Sequence, residues 1–282
     1  MRRRENGRPV VAGYDGSKAS EQALRWAVED ARMRFAPLVV CHAWQGPYPM
    51  PAISAESMEA LRRMGRHALD TGANLARALA PRLEVRAELD TGPPSVVLRN
   101  RSSTAELVVV GQRGAGGFEE LQIGSTAIQL AAHAHCPVAV VKQHFRPRTG
   151  LVLVAVDGTN PHRPELGAAF EEARLRQASL RAICLCPAEV EDTREIAARF
   201  HRAIAVWEEK HPVVAVETAI LVGPPRAALQ EAAEEADLTV IGDRAPGDPD
   251  EPPLGPLCQA LLRGAPGTVI VIPSRVSGST AR

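Results

Sequence analysis

Apolar and polar positions along this chain follow two rhythms that take turns. Short runs rich in Val, Leu and Ala fall at residues 10–12, 38–41, 83–89, 107–110 and 138–141 and read as strands. Between the first two, Ala23, Leu24, Ala27, Val28 and Ala31 recur at helical spacing. Leu61, Ala68, Gly72, Leu75 and Leu79 repeat with a period of about 3.6 over a longer stretch, which predicts a second helix with that face inward. Five strands alternate with four helices, beginning and ending on a strand. Short apolar strands each followed by a helix predict a parallel sheet covered on both faces, with right-handed crossovers.

The pattern then starts again. "VVAGYDGS" (Val10 to Ser17) returns as "LVAVDGT" (Leu153 to Thr159), which sets Asp157 142 residues after Asp15. "TGPPSVVL" and "ELVVVGQRG" return as "VGPPRAAL" and "DLTVIGDRA", both 131 residues later. The second copy is therefore shorter by eleven residues, and the loss falls where the first carries "WQGPYPMPAISA". This predicts two tandem α/β domains, residues 1–144 and 151–276, each a five-stranded parallel sheet of flavodoxin-like or Rossmann-like winding. Open sheets of this kind bind ligands beyond the carboxyl ends of their strands, where the strand order reverses. Asp15 ends the first strand and Gly111 the fourth.

Composition narrows the function by exclusion. Lys+Arg and Asp+Glu are equal at 33 each, so nothing in the balance calls for nucleic acid or an anionic membrane surface. No apolar run reaches the roughly 18 residues of a membrane span and no charged-then-apolar leader opens the chain, so a cytoplasmic protein is expected. The five cysteines form no C-x-x-C pair and sit in or beside apolar runs, as reduced core thiols do. Cys184 and Cys186 share one face of a strand; a metal or redox role there ranks below packing. His133, His135 and Cys136 resemble a metal cluster on paper, but at a helix end their imidazoles suit the dipole as caps.

The residues that carry chemistry lie in "GQRGAGGFEELQIGS", Gly111 to Ser125. There is no Gly-Lys pair for a Walker A loop, no G-x-G-x-x-G around Gly111, no H-E-x-x-H and no G-x-S-x-G. What stands is G-x2-G-x9-G-S, formed by Gly111, Gly114, Gly124 and Ser125. Glycines let phosphate oxygens approach backbone N–H groups and permit positive φ, and a helix opening at Ser125 favours an anion at its N-terminus. Arg113 could add a charge-assisted bond. A bare carboxylate at Asp15 would repel a triphosphate, so it must face the base or ribose, or act through a metal ion. Read singly, Asp15-Gly16 is also an ordinary strand-to-helix turn capped by Asp15 or Ser17.

This motif together with Asp15 resembles the universal stress protein family, nearly the whole chain matching once per repeat. The resemblance implies ATP, accompanied by Mg²⁺, as ligand. It places Asp15 and Gly13 at the adenine and ribose end with Val40 as an apolar wall, and it assigns Gly111, Arg113, Gly114, Gly124, Ser125, Thr126 and Ala127 to the phosphates. It also implies pairing of the two halves through their last strands, residues 138–141 and 268–272, homodimerisation, and a protein partner of unstated identity.

In the second copy Gly242 and Gly255 keep their spacing, but Ala245 stands for Gly114 and Pro256 for Ser125. Proline brings neither N–H nor hydroxyl, and Asp248, Asp250 and Glu251 crowd the loop with like charge. One ATP per chain is expected, with Asp157 a turn residue. No Lys, His or Glu is spaced to activate water, which favours a nucleotide-dependent switch over an enzyme. A weak ATPase or adenylyl transferase and a nucleotide-free scaffold stand as alternatives.

Overall fold

The computed structural model describes residues 7–45, 54–116, 122–142, 148–156, 163–186, 193–243 and 254–274. The apolar runs of the first copy become strands β1 (Val10–Gly13), β2 (Leu38–Trp44), β3 (Val85–Thr91), β4 (Leu107–Gly111) and β5 (Val138–Val141). Their branched side chains are sealed on both faces: Val10, Leu38, Val40, Val108 and Val109 have no exposed surface. All pairings are parallel, in the order β3-β2-β1-β4-β5. Of the windings the pattern allowed, this one puts β4 directly beside β1. Val10 lies opposite Leu38 on one side and Leu107 on the other. The order reverses between β1 and β4, so Asp15 and Gly111 leave adjacent strands.

Helices α1 (Lys18–Arg34) and α2 (Ala55–Leu79) pack together, as do α3 (Pro94–Ser102) and α4 (Ser125–His133). The Ser17 hydroxyl caps α1 by accepting the Ser20 N–H at 3.2 Å, with Glu21 in the first turn and Arg32 and Arg34 in the last. Asp30, fully buried, is held by Arg34 at 2.6 Å, and Arg34 also reaches Glu106 at 3.2 Å, which ties the end of α1 to the start of β4. The helix stops on Phe35, which adopts the left-handed conformation (φ 54°, ψ 35°) with its ring 71% exposed.

The inward face of α2 differs from the expected one. Gly65, Leu69, Gly72, Ala73 and Ala76 are buried, whereas Leu61, Ala68 and Leu75 are half-buried and Leu79 is exposed. The cause is close approach: a Cβ on Gly72 would stand 2.7 Å from the Tyr14 ring, and one on Gly65 would stand 3.3 Å from His42 and Trp44. Small residues bring this helix onto the sheet, and its larger aliphatic side chains are turned to the margins.

The chain divides into two compact units, Met1–Gln143 and His144–Arg282. The second repeats the plan with β6 (Leu151–Val156), α5 (Pro164–Arg176), β7 (Ser179–Cys186), α6 (Thr193–Lys210), β8 (Val216–Val222), α7 (Pro225–Glu234), β9 (Leu238–Gly242), α8 (Pro256–Gly264) and β10 (Thr268–Ile272). Its strands are again parallel, in the order β8-β7-β6-β9-β10. Helix α5 ends on Gln177, which is left-handed like Phe35 at the matching position (φ 52°, ψ 41°). At the join, the Asp237 carboxylate accepts the N–H groups of Thr149 and Gly150 at 2.9 and 2.8 Å.

All five cysteines are buried free thiols. Burial pushes Cys41 and Cys136 up to about 12, so neither is a ready nucleophile. Cys184 and Cys186 do share a strand face, with Sγ atoms 3.8 Å apart in the core. His133 lies in the last turn of α4, and no group of three or more His, Cys, Asp or Glu side chains among the described residues could hold a metal ion. No helix among the described residues is long and apolar enough to cross a membrane.

Candidate functional site

Where β1 ends, the backbone turns sharply. Gly16 takes a φ of +81°, which favours glycine, and the turn delivers Ser17 to cap α1. The peptide before Asp15 is gripped on both sides. Its carbonyl, on Tyr14, accepts the Nδ1–H of His42 at 2.7 Å, and its N–H, on Asp15, donates to Ser20 Oγ at 3.3 Å. Ser20 is itself buried and donates to the Ser17 carbonyl at 2.9 Å.

The Asp15 carboxylate thereby points at the neighbouring strand's loop. Oδ1 accepts the Ser17 N–H at 3.0 Å, and Oδ2 accepts the N–H of Ala115, one hundred residues away, at 2.7 Å. Burial alone would raise its pKa; hydrogen bonds from the Ser17 side chain, the Ala115 and Ser17 amides and the Ser20 side chain outweigh it and hold the carboxyl below its ordinary value. The group is an anion already satisfied by backbone donors, one of them in the glycine-rich loop.

That loop is closed at its neck by Gln112. The Gln112 N–H donates to Val141, its carbonyl accepts the Gly124 N–H at 2.9 Å, and its side-chain amide donates to the Gln122 carbonyl. Gly124 then caps α4, whose first helical hydrogen bond is Ile128 N–H to Gly124 at 3.2 Å. The amides of Ser125, Thr126 and Ala127 precede that bond and have no partner within the helix. Ser125 is exposed, Thr126 half-buried, and Ala127 buried, so Ala127 offers a ligand only its backbone.

The glycines serve close approach. None of Gly111, Gly114 and Gly124 adopts a positive φ, so the expectation that the loop needs left-handed glycines to fold back is corrected. A Cβ on Gly111 would lie 2.7 Å from the Ala19 backbone, so this glycine lets β4 end against the first turn of α1. A Cβ on Gly114 would lie 2.6 Å from Asp15 Oδ2. Gly124 meets only ordinary contacts, the nearest at 3.5 Å from Arg113 Cα, and Arg113 itself is half-buried in the loop. Gly13 leaves room for Leu98, whose Cδ1 lies 2.9 Å from where a Cβ would sit. A Cβ on Gly116 would meet nothing within 4 Å, and Gly117 lies outside the described residues.

Val40 is a second correction. It sits in mid-strand opposite Ala12 and Ala87 with no exposed surface, so it cannot wall a crevice. Gly13 pairs with Cys41, and β2 runs on past the end of β1 through His42 and the half-buried Ala43 and Trp44. The apolar position on this strand that faces the level of Asp15 is Ala43. Lys142, absent from the sequence expectations, follows β5 beside the neck; it is buried, which lowers its pKa to about 8.

In the second unit Gly255 N–H donates to the Asp243 carbonyl at 2.8 Å, repeating the neck bond of Gln112. Asp243 is buried and its Oδ2 accepts the Ser274 hydroxyl at 3.2 Å. Pro256 occupies the first position of α8, so one amide and the hydroxyl are lost there, while Leu257 and Cys258 keep theirs. Asp157, Ala245, Asp248, Asp250 and Glu251 lie outside the described residues.

Comparisons with known proteins agree with this duplicated design. The family model of the universal stress protein family matches residues 7–142 and again 150–273. A universal stress protein of Mycobacterium tuberculosis (strain H37Rv) is 33% identical over 221 residues, covering 76% of this chain and 78% of the relative. One from Mycobacterium bovis is 30% identical over 292 residues, covering 95% and 97%. Among solved structures, a universal stress protein from Archaeoglobus fulgidus DSM 4304 superposes with a TM-score of 0.74 at 19% identity over 94% of this chain and 96% of that one, a likeness of fold. The chain belongs to the universal stress protein family and carries two of its domains in tandem.

Proposed function

We propose that the first unit binds one ATP per chain and that the chain works as a nucleotide-dependent switch in the stress response. The observation that carries this reading is the meeting of Asp15 with the loop of Gly111 to Ser125 at the point where the strand order reverses. Asp15 supplies an acceptor for ribose hydroxyls or the adenine amine. The amides of Ser125, Thr126 and Ala127, with the Ser125 hydroxyl, supply donors for phosphate oxygens at a helix N-terminus. Mg²⁺ would come with the nucleotide, compensating the charge of its phosphates.

Switching is favoured over turnover by the state of the nearby side chains. The amide donors on both Asp15 oxygens lower its basicity, and His42, whose Nδ1 donates to the Tyr14 carbonyl, has its Nε2 against Gly65 of α2, so neither side chain offers a base to a water beside the loop. Homodimerisation and an unidentified protein partner complete the proposal, supported by the family resemblance, and light scattering with and without Mg-ATP tests the first. Native mass spectrometry of the full chain tests the stoichiometry: one ATP per chain is expected, and two or none would overturn it. Saturating ATP at one hundred times Kd adds about 2.7 kcal/mol of apparent stability, which a thermal scan reads directly. Steady ADP or AMP release that Asp15→Ala abolishes would favour the enzyme instead.

A further inference from the structure

The Asp15 carboxylate occupies the N–H of Ala115 at 2.7 Å, and Gly114 leaves the space that this contact needs. Any anion approaching that stretch of loop meets a fixed negative charge and an amide that is already taken. We propose that the Asp15–Ala115 hydrogen bond is a selectivity gate, opened only by ligands that bring a hydrogen-bond donor together with an anion. The proposal rests on the nucleotide-binding reading of the same site.

The argument is one of exchange. A nucleotide carries donors on its ribose and base and acceptors on its phosphates. Its donors replace Ala115 as the partner of the half-buried carboxylate, and its phosphate oxygens take up the released, exposed Ala115 N–H, so both groups exchange one partner for another. Inorganic polyphosphate can do only the second half of this. It would leave Asp15 short of a donor and face it across a few ångströms as a like charge, a repulsive element that costs it affinity. The peptide before Asp15, clamped by His42 and Ser20, limits how far the carboxylate can turn away. Selectivity thus comes from a bond that must be broken as well as from those that form.

The test compares Mg-ATP with inorganic tripolyphosphate, each titrated calorimetrically into the full chain and into Asp15→Asn. Asparagine has one oxygen for two amides and no charge. In the wild type, tripolyphosphate is expected to bind at least about tenfold more weakly than ATP, and in Asp15→Asn that ratio should collapse by about tenfold from both sides. Hydrogen exchange on the ligand-free chain reads the gate itself: the Ala115 amide should be protected in the wild type and released in the variant. Gly114→Ala, which drives a methyl group into the carboxylate, should also release it, and serves if Asp15→Asn folds poorly. An unchanged ATP-to-tripolyphosphate ratio in Asp15→Asn, with ATP still bound by the wild type, overturns the gate and leaves the nucleotide site standing. A wild-type chain that binds neither ligand overturns both.

Discussion

The two units hold the same neck and differ in what emerges from it. In the first, Gln112 accepts the Gly124 N–H, and the helix opens with Ser125, Thr126 and Ala127; in the second, Asp243 accepts the Gly255 N–H, and the helix opens with Pro256. Strand order, neck bond and even the left-handed residue after α1 and α5 are shared. Architecture is thus indifferent to the chemistry at the tip. A proline at the first helical position suits the fold as well as serine does, because that N–H has no helical partner in either case. It does not suit an anion.

The sharpest way to break the contrast is to carry it across. Ser125→Pro should leave the first unit folded and weaken ATP binding roughly 100-fold, since it removes an amide and a hydroxyl that would each bond a charged oxygen; calorimetry beside a circular dichroism melt separates the two effects. An unaltered Kd would show that the helix start is not the phosphate site. Gly111→Ala addresses packing instead. Its methyl group would lie 2.7 Å from the Ala19 backbone, and the shift of α1 that follows should cost about 1–3 kcal/mol in denaturant titrations.

Acid sensitivity ranks next. Because the folded Asp15 carboxyl lies below its ordinary value, its contribution to stability is complete above the usual carboxylate range and is lost as pH falls through the folded value. Wild type should therefore lose more stability than Asp15→Asn between neutral and strongly acid pH, read from melts across that window. The smallest effect is expected from Pro256→Ser in the second unit. Stability should change by less than about 0.5 kcal/mol, and native mass spectrometry should still count one nucleotide. A second ATP gained by this change would mean that the proline alone separates the two units.

Much of this was legible in the chain. Alternating runs and an internal repeat are enough for parallel sheets in tandem, because apolar strands and amphipathic helices leave few other ways to bury both faces. The spacing of Gly111, Gly114, Gly124 and Ser125 located the loop, and of the two caps that the sequence offered for α1, Asp15 and Ser17, the structure uses Ser17. What stayed hidden depends on distances across the fold. Gly65 lies off the periodic face and Gly72 counted there as one apolar position among five, yet a Cβ on Gly72 would crowd the Tyr14 ring and one on Gly65 would crowd His42 and Trp44. Val40 is apolar on a functional strand, but register with β1 pairs it with Ala12, three residues before Asp15, and brings Ala43 to the level of Asp15. The glycines read as room for phosphate and freedom of φ; none of Gly111, Gly114 and Gly124 takes a positive φ, and the room at Gly111 and Gly114 is used by Ala19 and Asp15. That Ala115 answers Asp15 has no local signal, since any residue but proline provides that N–H.

Phe35 and Gln177 hold the same left-handed geometry 142 residues apart, although neither is the glycine that such a position favours. Side chains at this corner have drifted while the backbone has not. The corner is therefore a kind of fossil, recording the shape of the ancestral unit more faithfully than its letters do. At that corner the first copy carries two costs together, an apolar residue 71% exposed and a backbone geometry that glycine holds without strain, so Phe35→Gly relieves both at once.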